Sequence, residues 1–102
     1  MSVRIIELHH HAVRVPTADV ELERVRRFYA EVLGLQSDGG RPGFNLRGDW
    51  LNIGEHAQMH LMAVEPAPAS SGIEPTEPHV AFAVADIDEA RRELERHGVE
   101  VR

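Results

Sequence analysis

Seven of the 102 residues are histidine and none is cysteine, so imidazole nitrogens and carboxylate oxygens are the groups this chain offers for holding a metal or moving a proton. Disulfides, zinc ribbons, thiol nucleophiles and iron–sulfur clusters are excluded together. Three of the histidines fall in segments with strand-like alternation, where successive side chains take opposite faces. In His79–Val84, the imidazole shares a face with Ala81 and Ala83, while Val80, Phe82 and Val84 point the other way. The bulky face suits packing on a helix. The face with one ring and two methyl groups is too small to fill a core and suits the wall of a concave site. His10 with Ala12 repeats the arrangement, and Ala57–Val64 puts Met59, Leu61 and Ala63 on a packing face with Gln58, His60 and Met62 opposite. If these strands share one sheet, His10, His60 and His79 can converge on one divalent ion; zinc, nickel, iron and manganese all accept imidazole.

A lone strand histidine is ordinarily a hydrogen-bonded structural residue. His10 and His79 stand apart because they occupy matching places: His10-His11-Ala12-Val13-Arg14-Val15 overlays His79-Val80-Ala81-Phe82-Ala83-Val84, and at the same spacing Asp19 overlays Asp88. Each segment precedes a helix pattern closed by a glycine, Gly34 or Gly98. Such a repeat suggests two copies of one module framing one site. His9 and His11 share the face of Val13, His56 lies in a turn, and His97 sits at a helix end where a cation suits the dipole; these are expected in solvated roles. Arg14 lies on the face of His10, about 13 Å along the strand. It either binds a substrate carboxylate or phosphate or pairs with an acidic neighbour at the rim. Trp50 and Tyr29 are pocket or core aromatics.

The elements expected to position these residues follow from periodicity and punctuation. Leu8–Val15 is expected as a strand, and Asp19 as the cap of a helix to Leu33 with an apolar stripe of Val20, Val25, Phe28, Tyr29, Val32 and Leu33. A turn at Asp38–Pro42 precedes short strands over Phe44–Leu46, Trp50–Ile53 and Ala57–Val64. The proline-rich stretch Glu65–Glu77 is a loop. His79–Val84 is expected as a strand, followed by a helix capped by Asp86 or Asp88 and running to about His97, then a short strand over Val99–Arg102.

This length is one domain's worth of chain. Hydrophobic residues at 42 % and charged residues at 27 % are ordinary for a globular protein. The net charge of −6 disfavours a phosphate backbone as partner, so no nucleic acid is expected. No apolar run reaches the roughly 18 to 20 residues of a membrane helix, and Met1–Glu7 lacks the long apolar stretch of a secretory leader, so a cytoplasmic location is expected.

The runs His10-x-Ala-Val-Arg-Val, Val25-Arg-Arg-Phe-Tyr-x-Glu-Val-Leu-Gly-Leu, Trp50-Leu-x-Ile-Gly with Met59-His-Leu, and His79-Val-Ala-Phe-x-Val-x-Asp-Ile-Asp carry a resemblance over almost the whole chain. It resembles the vicinal oxygen chelate superfamily, which holds glyoxalase I, extradiol dioxygenases, fosfomycin-resistance proteins, methylmalonyl-CoA epimerase and bleomycin-binding proteins. The resemblance implies an α+β fold. It is a βαβββ module (residues 7–64), a linker (65–77) and a partial second βαβ module (78–102), forming a cupped sheet around a divalent metal. By position it implies His10, His60 and His79 as metal ligands, His60 also as the catalytic group, and Arg14 against the anionic part of a substrate; Trp50, from its residue type, is the aromatic expected to line the substrate pocket.

Two departures bear on the chemistry. The family's last ligand is usually a glutamate on the final strand of the second module, after an Asp-Pro-x-Gly turn, and the sequence ends at Arg102 before such a turn. His60 stands where glyoxalase I often has a glutamate that also handles the proton. The expected function is a metal-dependent enzyme, of lyase, isomerase, transferase or dioxygenase type, that stabilises an enolate or oxyanion of a small oxygen-rich substrate. The alternative is a metal-free drug- or metabolite-binding protein like the bleomycin-resistance relatives. A homodimer is expected, since relatives commonly pair modules across subunits.

Overall fold

The structure is a computed structural model, described here for residues 2–43, 46–65, 76 and 79–101. The chain divides into two units, Met1–Ala67 and Pro68–Arg102, and each is described by itself.

The first unit runs β1 (His10–Val15), α1 (Asp19–Arg27), a π-helical turn (Phe28–Val32), β2 (Gln36–Ser37), β3 (Gly48–Ile53) and β4 (Ala57–Ala63). The strands form one sheet in the order β1-β4-β3-β2. β1 and β4 run parallel with Ala12 opposite His60; β3 and β4 form an antiparallel hairpin with Trp50 opposite His60. Gly54, at φ 60, turns that hairpin where a Cβ would be strained. The βαβββ order matches the expected first module, and the mixed α+β class with it.

One face of the sheet carries Val15, Leu51, Met59, Leu61 and Ala63, which with Leu22 of α1 are the buried apolar side chains among the described residues. The opposite face carries Gln58, His60 and Met62, all half-exposed. The alternation in β4 therefore sorts as its residue types demand. Arg26 of α1 pairs with Asp49 of β3 (Nε–Oδ2 3.8 Å), and Glu65 accepts from the Thr17 backbone N–H and hydroxyl at 3.2 and 3.1 Å. These contacts tie the helix and the end of β4 to the sheet.

Several expectations need correction. The expected helix is α-helical only to Arg27 and continues as the π turn to Val32. Its N-cap is Ala18, whose methyl group cannot cap; Asp19 falls one residue inside the helix, where its carboxylate meets Arg47. Val20 is exposed and Leu22 is buried in its place: the less exposed face runs Leu22, Val25, Tyr29, Val32 at helical spacing. β2 was not foreseen. Leu46 is outside any strand, and the rest of the Phe44–Leu46 expectation and nearly all of the Glu65–Glu77 loop lie outside the described residues.

In the second unit, α2 (Ile87–Arg96) begins as expected, with Asp86 accepting from the Glu89 N–H at 3.0 Å. It ends in a Schellman motif: Gly98 has φ 77, its N–H reaches Glu95 O at 2.9 Å, and the Val99 N–H reaches Leu94 O at 2.9 Å. The expected strand His79–Val84 joins no ladder, and neither do residues 99–101. Alternation specifies faces, but a strand also needs a neighbouring backbone to pair with, and the described residues supply none here. No described helix is long and apolar enough to cross a membrane.

Candidate functional site

The pairing of β1, β4 and β3 decides which rings meet. His60 sits mid-strand between its two neighbours, and its imidazole lies between two rings. Trp50 stacks on it at a centroid distance of 4.4 Å with planes 7° apart, and His10 stacks on it at 4.1 Å and 11°. His9 meets His10 edge-on at 5.1 Å and 80°, and their Nδ1 atoms are 2.8 Å apart, so one donates and the other accepts. Sequence reasoning left His9 out because strand alternation assigns it to the other face; it lies before β1 begins, where that alternation does not hold.

A polar chain runs from the same ring. His60 Nε2 is 2.9 Å from Gln58 Oε1, and Gln58 Nε2 donates to Asp38 Oδ2 at 2.8 Å and to Asn52 Oδ1 at 3.1 Å. Asp38 is fixed in turn by the short strand β2 just before it. Its N–H donates to Trp50 O at 2.7 Å and its Oδ1 accepts from the Gly40 N–H at 2.7 Å. Burial first, then the electrostatic influence of His10, His9 and Arg41, lowers the His60 pKa from the ordinary imidazole value. Both influences favour the neutral ring, the form a metal ligand or general base needs.

Of the residues expected to form the site, the structure brings together His10, His60 and Trp50. Arg14 is on the same strand as His10, exposed, and forms no ion pair among the described residues. His79 belongs to the second unit and is exposed. Among the described residues, no three His, Cys, Asp or Glu side chains are grouped to hold an ion. Rings stacked as His10 and His60 are hold their in-plane lone pairs in two nearly parallel planes, one above the other. The pair as it stands is a stack whose donor chemistry fits a metal but whose orientation requires one ring to turn. His10, exposed at the sheet edge, is the one able to do so.

A separate cleft of about 500 Å³ beside α1 is bounded by Asp19, Glu23, Arg26, Arg41 and Arg47. Its charges are largely spent on one another, Arg47 with Asp19 and Arg26 with Glu23, which leaves the histidine face as the candidate site.

The sequence profile of the Glyoxalase/Bleomycin resistance protein/Dioxygenase superfamily matches residues 7–102. Among solved structures, a glyoxalase family protein from Bacillus anthracis is similar with a TM-score of 0.75 and 26 % identity, over 98 % of this chain and 76 % of that one. A search of the curated proteins finds no match. With the βαβββ order, the imidazole-lined sheet face and a profile match over nearly its full length, the chain belongs to the Glyoxalase/Bleomycin resistance protein/Dioxygenase superfamily.

Proposed function

We propose that this chain is a divalent-metal-dependent enzyme acting on a small oxygen-rich substrate. The observation that carries the reading is the His10–His60 pair, two imidazoles on adjacent strands with centroids 4.1 Å apart. His10 and His60 would hold the ion together with His79, assigned by its matching place in the second module. When bound, the metal supplies Lewis-acid stabilisation of an enolate or oxyanion. Trp50 forms one wall beside His60, His60 handles a proton only when its Nδ1 has left the ion, and Arg14 binds an anionic part of the substrate. Pairing of two copies is part of the proposal, because β1 is an edge strand. The test is zinc or nickel titration of the purified full chain with metal analysis after dialysis: one ion per chain, lost in His60→Ala, supports the reading.

The alternative, a metal-free binder of a planar drug or metabolite, is favoured by one observation: Trp50, His60 and His10 already form a continuous three-ring stack. Chelator-treated protein that binds aromatic ligands unchanged, and takes up no zinc or nickel, would favour it.

A further inference from the structure

We infer that Gln58, oriented by Asp38, is a positioning residue that fixes the His60 imidazole as the Nε2–H tautomer and leaves Nδ1 as its only lone-pair nitrogen. The inference follows from donor and acceptor inventory along one chain of contacts. An ionised carboxylate only accepts, so the Gln58 atom 2.8 Å from Asp38 Oδ2 has to be the amide nitrogen. The other end of that amide, 2.9 Å from His60 Nε2, is then the carbonyl oxygen, which also only accepts. The proton between Gln58 Oε1 and His60 Nε2 therefore belongs to the imidazole. Asn52 reinforces the amide's orientation by accepting from the same Gln58 nitrogen at 3.1 Å.

Asp38 can serve as the reference because it is itself held. Its backbone N–H bonds to Trp50 O and its second carboxylate oxygen is engaged by the Gly40 N–H, both at 2.7 Å. The Trp50 ring, 7° from parallel with His60, limits rotation of the imidazole out of its plane. A ring so held cannot exchange Nδ1 for Nε2 without breaking the Gln58 contact. Partner groups of this kind orient a ligand histidine and raise its basicity, and they decide which nitrogen faces a metal or a proton. That functional meaning rests on the reading proposed above; the tautomer itself does not.

The experiment is long-range nitrogen–proton correlation NMR of the histidine-labelled full chain at about pH 8, where free imidazole is neutral, with His60 assigned from His60→Gln. The expected wild-type signature is a pyrrole-like Nε2 and a pyridine-like Nδ1. In Asp38→Asn the near-isosteric side chain can present an NH2 group, the Gln58 amide is free to flip, and both His60 nitrogens should move toward tautomer-averaged positions. Gln58→Leu should do the same, and the backbone amide spectrum of each variant reports whether the fold is kept. A wild-type His60 with a protonated Nδ1, or His60 lines unchanged in both folded variants, overturns the inference. Zinc titration of the same sample is read separately. Loss of the Nδ1 line position on metal addition supports the metalloenzyme reading, whereas His60 lines indifferent to zinc overturn that reading and leave the tautomer assignment standing.

Discussion

The indole of Trp50 lies flat on the imidazole of His60, centroids 4.4 Å apart and planes within 7°, because β3 and β4 place the two residues directly opposite each other. A cross-strand ring pair contributes about 0.5–1.5 kcal/mol beyond the apolar area it covers. Trp50 is half-exposed, so Trp50→Ala should cost about 2 kcal/mol, below the range for a fully buried tryptophan. Trp50→Phe should restore most of it. Urea unfolding monitored by circular dichroism measures both; a loss of only a few tenths in Trp50→Ala would mean the stack is incidental.

Tyr29 is the only tyrosine in the chain, so its ionisation can be followed by phenolate absorbance without ambiguity. Burial in the π turn pushes its pKa above the usual value. A folded-state pKa raised above the unfolded one contributes stability that is complete below about pH 10 and is lost as pH climbs through the folded value. Alkaline titration of the folded protein should therefore lag behind that of the urea-unfolded chain. Tyr29→Phe should abolish this part of the alkaline destabilisation, and coincident folded and unfolded titrations would contradict the assignment.

Gly48 begins β3 against the backbone of β4, and a Cβ there would fall 1.9 Å from the Leu61 carbonyl oxygen. The strand cannot yield without disturbing the Gly48–Met62 register that aligns Trp50 with His60. Gly48→Ala should destabilise by about 1–3 kcal/mol, with the near-ultraviolet tryptophan signal altered as well. Gly39→Ala, where nothing stands within 4 Å, is the matched control and should be close to neutral.

What could be read from residue order alone was local and periodic. Met59 and Leu61 are 2 % and 1 % exposed while His60 between them faces the other way, since a period of two follows from strand geometry itself. At the start of α1 the pattern is ambiguous, because Val20 and Leu22 are both apolar and only packing selects Leu22. The Asp38–Gln58–His60 chain was illegible: it depends on β2, which at two residues is too short to carry periodicity. His79–Val84 had the alternation of a strand, but hydrogen-bond pairing is a property of two segments and no single pattern encodes it.

Val3, Ile5, Ile6 and Leu8 are 86 %, 84 %, 77 % and 70 % exposed, and they lead into β1, which among the described residues is an edge strand paired with β4 alone. Contiguous apolar side chains beside an open strand edge favour association. The chain should sediment as a dimer at micromolar concentration, and the double variant Ile5→Lys, Ile6→Lys should shift it toward monomer without lowering helix content. A monodisperse monomer of the unaltered chain at that concentration would refute the proposed pairing.

The metal reading makes a sharper demand, because the three proposed ligands differ in how they are held. His60 is fixed by Trp50 and Gln58, His10 is exposed at the sheet edge, and His79 belongs to the second unit. Replacing a partner that merely orients a ligand typically costs 10–100-fold in affinity, so loss of a ligand itself should weaken zinc binding by at least about tenfold. His10→Ala, His60→Ala and His79→Ala should each do so, whereas His11→Ala, on the opposite face of β1, should bind like the parent. Neutral imidazoles leave the full double charge on the ion, so an anionic oxygen ligand, whether a substrate carboxylate or a hydroxamate such as acetohydroxamate, should bind more tightly to the metal-loaded protein. Calorimetric zinc titration across the four variants separates the possibilities. Unchanged affinity in His79→Ala alone would remove the second module from the site, and unchanged affinity in all three ligand variants would remove the metal from the function.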